Sequence, residues 1–374
     1  MLFTTIGVAH RARHCPDWIS NPMPVQRSLF LHSDLRRRPQ EMLRRMSEMI
    51  DPDTPAHGPD GPVAVLERRM ASLLDKQAAV FFPSGTMAQQ VALRIHADRR
   101  GRRAFAAHPQ SHLEVWEHRG YSVVHGLRCH PTGDRHRLMT LADLTAIGEP
   151  LAAVVWELPQ RDIGGLLPEW DDLVAQTSAM RERGAAIHLD GARLWEAQTY
   201  YARPFPDITA LFDTAYVSLY KALQGTGGAV LATDADFAAE ARVWRRRLGG
   251  DVYDAWPLAL VALHGLDTLL PRLPSHRDHA IAIAAAINAD GAARTVPNPP
   301  QTPLFHIHLP IGPAAAERAA ATVLAATGVE LLGRVRTAPD PDRCSFEITV
   351  GENAMAFTPA DVVELIHDLL RHSG

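Results

Sequence analysis

Ala186-Ile187-His188-Leu189-Asp190-Gly191-Ala192-Arg193 is the stretch on which the fold turns. An apolar run interrupted by His188 reads as a buried strand, with Asp190 at its tip, a glycine turn next and an arginine beyond. Working outward, comparable short runs recur at 78–82, 122–124, 152–156 and 215–219, with helical stretches between them. Residues 62–74 place Val63, Leu66, Met70 and Leu73 on one helical face, and Pro83-Ser84-Gly85-Thr86 opens a helix to about His96. Strands alternating with helices predict an α/β fold, a mainly parallel sheet with helices on both faces. Ligands of such sheets bind at the carboxyl ends of the strands, which is where Asp190 falls.

The pattern changes after Gly250. A long apolar helix is expected over 256–270, broken by Pro271 and Pro274. A proline-rich turn over 296–303 follows, then a strand at 304–309, an Ala-rich helix at 314–326, a strand at 346–350 and a closing helix at 358–372. These predict a smaller C-terminal α+β domain. The expected organisation is an irregular arm over 1–45, a large α/β domain over 46–250, and a linking helix with the small domain over 251–374.

Apolar residues make up 46% of the 374 positions, enough for a full-sized core. A net charge of −4 argues against a nucleic-acid or anionic-membrane partner. The apolar runs are too short to span a bilayer, and the first fifteen residues lack a signal-peptide pattern. The three cysteines, Cys15, Cys129 and Cys344, form no CxxC pair, so neither a metal site nor a disulfide framework is expected, and a reduced cytoplasm fits. Of 38 basic residues only Lys76 and Lys221 are lysines. A lysine kept in so Arg-rich a chain suits amine chemistry that a guanidinium cannot perform. Lys76 sits in a polar turn. Lys221 ends Val217-Ser218-Leu219-Tyr220-Lys221 and precedes the glycine-rich Gly225-Thr226-Gly227-Gly228.

An acid ending one strand and a lysine ending another can flank one crevice. Pyridoxal 5′-phosphate needs that pair: a carboxylate keeps its pyridine nitrogen protonated, and a lysine amine holds it as a Schiff base. Asp190 and Lys221 are the candidates. Its phosphate needs backbone N–H groups at a helix start, which Ser84, Gly85 and Thr86 offer, with Ser218 as a second contact. His112 follows a turn and could stack on the ring and move protons near neutral pH. Each feature has a plainer reading, as a helix cap, a surface lysine or a structural histidine; it is their combination that points to the cofactor.

His188-Leu189-Asp190-Gly191-Ala192-Arg193-Leu194 resembles the signature of the L-threonine aldolases, within the β-eliminating lyase family of fold-type I pyridoxal-phosphate enzymes. The likeness spans roughly 33–250. Ser33-Asp34 with Pro39 and Glu41-Met42, Gly58-Pro59-Asp60-Gly61-Pro62, Phe82-Pro83-Ser84-Gly85-Thr86-Met87, Ser111-His112 with Glu117, Glu157 with Gly164-Gly165 and Pro168, and Ser218-Leu219-Tyr220-Lys221 match family segments in order. The resemblance implies that Lys221 carries the cofactor and Asp190 pairs with its pyridine nitrogen. It likewise implies that His112 stacks on the ring, that Ser84, Gly85 and Thr86 hold the phosphate, and that Arg193 and Ser33 contact the substrate carboxylate or the cofactor. It also implies a homodimer or homotetramer whose site is completed across subunits by the arm bearing Ser33 and His57.

The chain departs from the family at three places. His57-Gly58 replaces Tyr-Gly, and Tyr253 stands where the family has an active-site arginine. Phe346-Glu347-Ile348-Thr349-Val350 replaces an arginine-bearing segment that grips the substrate carboxylate, with Arg336 and Arg343 nearby. Substrate contacts are therefore expected from Ser33, Arg193, His57 and Tyr253. The implied reaction is retro-aldol cleavage of a β-hydroxy-α-amino acid to glycine and an aldehyde. β-Elimination, racemisation and transaldol transfer use the same machinery, and a non-catalytic binding descendant is the remaining alternative.

Overall fold

The computed structural model describes residues 25–29 and 39–374; Ser33 lies outside them. Its centre is a seven-stranded sheet in the order Ala78–Phe82, Ala229–Thr233, Thr214–Ser218, Ala186–Gly191, Ala153–Glu157, Ala104–Ala107 and Arg128–Pro131. Ala229–Thr233 runs antiparallel to both neighbours, and the remaining pairs are parallel. The central strands are near-continuous apolar runs because helices cover both faces, leaving little solvent-facing side to alternate towards. On one face Val80, Phe82 and Leu231 pack against Ala88, Val91 and Ile95 of the helix Gly85–Arg100. On the other, Phe81, Val154, Ile187, Val217 and Val230 meet Leu66 and Met70 of Pro62–Leu73 and Ala259, Ala262 and Leu266 of Trp256–Thr268. Each fully buried Leu, Val or Phe contributes about 1.5–3 kcal/mol through the surface it withdraws from water.

A second core lies around a four-stranded antiparallel sheet ordered Val335–Thr337, Cys344–Thr349, Leu304–Leu309, Arg294–Val296. Ile283 and Ile287 of Leu273–Asp290, Val323 of Pro313–Thr327 and Leu365 and Leu369 of Pro359–Arg371 pack into it.

Several local expectations are corrected. Residues 122–124 are not a strand but lie in the short helix Gly120–His125, with Val123 and Val124 85% and 57% exposed. Left-handed residues at both ends, Arg119 at φ 55° and Gly126 at φ 63°, close a single turn there and override the β preference of two valines. The strands Ala104–Ala107, Arg128–Pro131 and Ala229–Thr233 were not expected, being short and largely built of residues with weak strand preference. Pro39–Glu48, read as part of an irregular arm, is a helix. Pro271 and Pro274 break the apolar helix as anticipated, but Pro274 then sits in the first turn of Leu273–Asp290, where its missing N–H costs nothing. Among the described residues no helix is long and apolar enough to cross a membrane.

Candidate active site

The carboxyl ends of three adjacent strands converge. Asp190, near the end of Ala186–Gly191, sits in register with Glu157 on one side and Tyr216 on the other. Lys221 follows Thr214–Ser218 by three residues. Asp190 is 2% exposed, and its Oδ1 accepts from the Ala192 N–H at 3.1 Å. Burial raises its pKa, against the pull of the His112 and Lys221 charges. Glu157 is raised too, by burial and then by Asp190. Its carboxylate accepts from the His112 N–H at 3.1 Å, Gln160 Nε2 at 3.1 Å and the Arg161 N–H at 3.2 Å. Lys221 moves the other way: burial and then the Arg193 charge lower its pKa, with Asp190 opposing. An amine held below the ordinary lysine range is what a nucleophilic lysine requires.

His112 opens the helix His112–Val115, and its Nδ1 lies 3.0 Å from Glu117 Oε1. Glu117 also accepts from Gln90 Nε2 at 3.2 Å, so the carboxylate is fixed from two sides. Burial alone would lower the imidazole pKa; the Glu117 hydrogen bond and Asp190 more than offset it, and the net shift is upward.

Ser84 caps the 16-residue helix Gly85–Arg100, its Oγ accepting from the Met87 N–H at 3.2 Å. The positive end of this helix suits a phosphate. Gly85 is buried, and a Cβ there would run into the Tyr216 ring and hydroxyl unless Tyr216 shifted. Thr86 is exposed at the same turn. Ser218 is fully buried, its hydroxyl without a hydrogen-bond partner in the described chain. A helix start, an unused hydroxyl, a buried acid and a lysine of lowered pKa fit pyridoxal 5′-phosphate in chemical kind. Gly225 serves the turn after Lys221, its N–H donating to Leu219 O at 2.8 Å where a Cβ would collide with that carbonyl.

Arg193 is 6% exposed. Its Nη1 reaches both oxygens of Glu196, at 2.8 and 3.1 Å, and its Nη2 lies 3.5 Å from Glu347, while Nε is buried without a partner. Glu347 is the hub of a wider cluster. Arg161 grips it with Nε at 2.7 Å and Nη2 at 3.1 Å, and Arg336 Nη2 lies at 3.3 Å. Burial works to raise the Glu347 pKa, and Arg193 and Arg161 overcome this and hold it at about 2.

Asp190, Lys221, His112 and Arg193 are thus neighbours, and the turn bearing Ser84, Gly85 and Thr86 packs on Tyr216, the strand partner of Asp190. His57 and Tyr253 are not brought to them. Both are exposed, their rings 4.6 Å apart, with His57 3.3 Å from Asp254. They line a separate cavity of about 260 Å³ with Arg242, Arg245 and Trp256. Of the two arginines flagged near Glu347, Arg336 joins the cluster, whereas Arg343 pairs with Asp340 at the surface. Sequence reasoning gave no role to Arg161, Glu196 or Glu347; the lack of the arginine expected in the segment around Glu347 was the available signal.

The sequence profile of the beta-eliminating lyases matches residues 31–309. The chain belongs to the beta-eliminating lyase family. It is accordingly a fold-type I enzyme of the pyridoxal-phosphate-dependent lyase class. Low-specificity L-threonine aldolase 1 of Arabidopsis thaliana is 29% identical to it over 71% of this chain and 76% of its own. The low-specificity L-threonine aldolase of Escherichia coli K12 is 27% identical over 70% and 80%. A crystal structure from Listeria monocytogenes EGD-E, described as a candidate L-allo-threonine aldolase, superposes with a TM-score of 0.86 at 33% identity, covering 93% of this lyase and 97% of its own chain.

Proposed function

We propose that this lyase cleaves a β-hydroxy-α-amino acid of the threonine type to glycine and an aldehyde by a retro-aldol step, with pyridoxal 5′-phosphate held on Lys221. The observation that carries this reading is the meeting of buried Asp190, the low-pKa amine of Lys221 and His112 at the ends of adjacent strands. Threonine aldolases among the relatives support the reaction chosen. The cofactor, when bound, supplies the electron sink for the pair released as Cα–Cβ breaks.

The chain's own residues then have separable tasks. Asp190 holds a proton at the pyridine nitrogen. Ser84, Gly85, Thr86 and Ser218 would hold the phosphate, and Lys221 would supply the amine that holds the cofactor. His112 would cover the cofactor ring and, directly or through a water, would take the β-hydroxyl proton. Glu117 orients it and stabilises its charged form. The free Nε of Arg193 receives the α-carboxylate. His57 and Tyr253, distant from Lys221 in one chain, would serve a site completed across a homodimer or homotetramer, together with Ser33. A cytoplasmic setting suits such an enzyme.

The test is a product list. Threonine and bulkier β-hydroxy amino acids should each yield glycine and an aldehyde in equal amounts, and borohydride should fix the cofactor to Lys221. A keto acid with ammonia would mark β-elimination instead. No product and no label on Lys221 would leave only a binding protein.

A further inference from the structure

We infer that Glu347 is a specificity-determining residue: it occupies the guanidinium groups that a second acidic group on the substrate would need, so the site rejects amino acids with acidic side chains. This rests on reading the site as one for α-amino acids.

Glu347 lies on Cys344–Thr349, opposite His306 on the neighbouring strand. Arg161 spends Nε and Nη2 on it. Arg336 gives it Nη2 and gives Nη1 to Asp162, whose other oxygen accepts from the Trp116 Nε1–H at 2.6 Å. Arg193 gives one nitrogen to Glu196 and turns another towards Glu347. Three guanidiniums thus face three carboxylates, Glu347, Glu196 and Asp162, and their charges balance. His306 Nε2 is 3.9 Å from Glu347, but burial and then the Arg336 charge lower its pKa to about 4, so it adds no charge at neutral pH.

Two buried nitrogens of the described cluster lack a partner, the Nε of Arg193 and the Nε2 of the uncharged His306, and only the first carries charge. It can serve one α-carboxylate. A second carboxylate would meet Arg161 and Arg336 with their charges already matched by Glu347 and Asp162, and displacing Glu347 would leave a buried anion without partners, which is strongly unfavourable. Discrimination arises from that cost rather than from better contacts with the accepted substrate.

Binding of acetate and of succinate to the cofactor-loaded protein, followed by calorimetry, tests this without turnover. Wild type should bind succinate no more tightly than acetate. Glu347→Gln frees Arg161 and should tighten succinate binding relative to acetate by about tenfold or more, the worth of one charge-assisted contact. If Glu347→Gln does not fold, Glu347→Gln with Arg336→Gln restores the charge balance, still frees Arg161, and must show the same gain. An unchanged succinate-to-acetate ratio in the folded variant overturns the inference. So does wild type that already prefers succinate. Failure of the underlying reading looks different: neither protein binds acetate or glycine, and borohydride leaves Lys221 unlabelled.

Discussion

His112 Nδ1 lies 3.0 Å from Glu117 Oε1, and the side chain of Glu117 has no exposure to solvent. The protonated ring is therefore favoured in the folded protein despite its burial. With the folded pKa raised, this pairing contributes stability below the ordinary imidazole pKa and loses it as pH rises through the raised value.

Glu117→Gln should move the His112 titration midpoint to lower pH, as followed by NMR of the ring protons. If His112 is the base, the acid limb of the activity profile should move with it, because the neutral ring then persists to lower pH. An unmoved midpoint would mean that Glu117 does not set the state of this ring.

Asp190→Asn should preserve the fold, since the amide oxygen can still accept from the Ala192 N–H. Turnover should fall by about 10²-fold or more, as an amide cannot hold the pyridinium proton. Stopped-flow kinetics and circular dichroism on the same preparation check both halves. Turnover near the wild-type value would point to Glu157, its register partner, as the acid that matters.

Gly85→Ala probes the helix start. The added methyl collides with the Tyr216 hydroxyl, and Tyr216 is itself buried in the sheet. Overpacking of this kind should cost about 1–3 kcal/mol, read from urea unfolding, and should weaken cofactor retention on dialysis. Stability and retention equal to wild type would place the phosphate seat elsewhere.

How much of this was legible in the sequence depends on how local each feature is. Asp190, Lys221 and the Ser84 turn each follow a short apolar run, so a reading of runs and turns finds them. Asp190 and Lys221 converge because parallel strands put their carboxyl ends on one edge. The two valines at 123 and 124 misled because local β preference was overruled by left-handed residues at both ends. The Glu347 cluster was out of reach for another reason. Arg161 and Glu347 are 186 positions apart, and no periodicity connects them. A buried acid among arginines is a product of packing two cores together, which is invisible until the chain is folded.

That cluster joins contributions from both halves of the molecule. Arg161 and Arg193 come from segments that follow strands of the seven-stranded sheet, whereas Glu347 and Arg336 stand on the four-stranded one. A nascent chain released only as far as residue 290 would already carry Lys221, Asp190 and His112, yet Arg161 would lack its counter-ion. The carboxylate that completes this neighbourhood is synthesised after all three of them. Lys221 therefore acquires its finished electrostatic surroundings only when the four-stranded sheet has docked against the seven-stranded one.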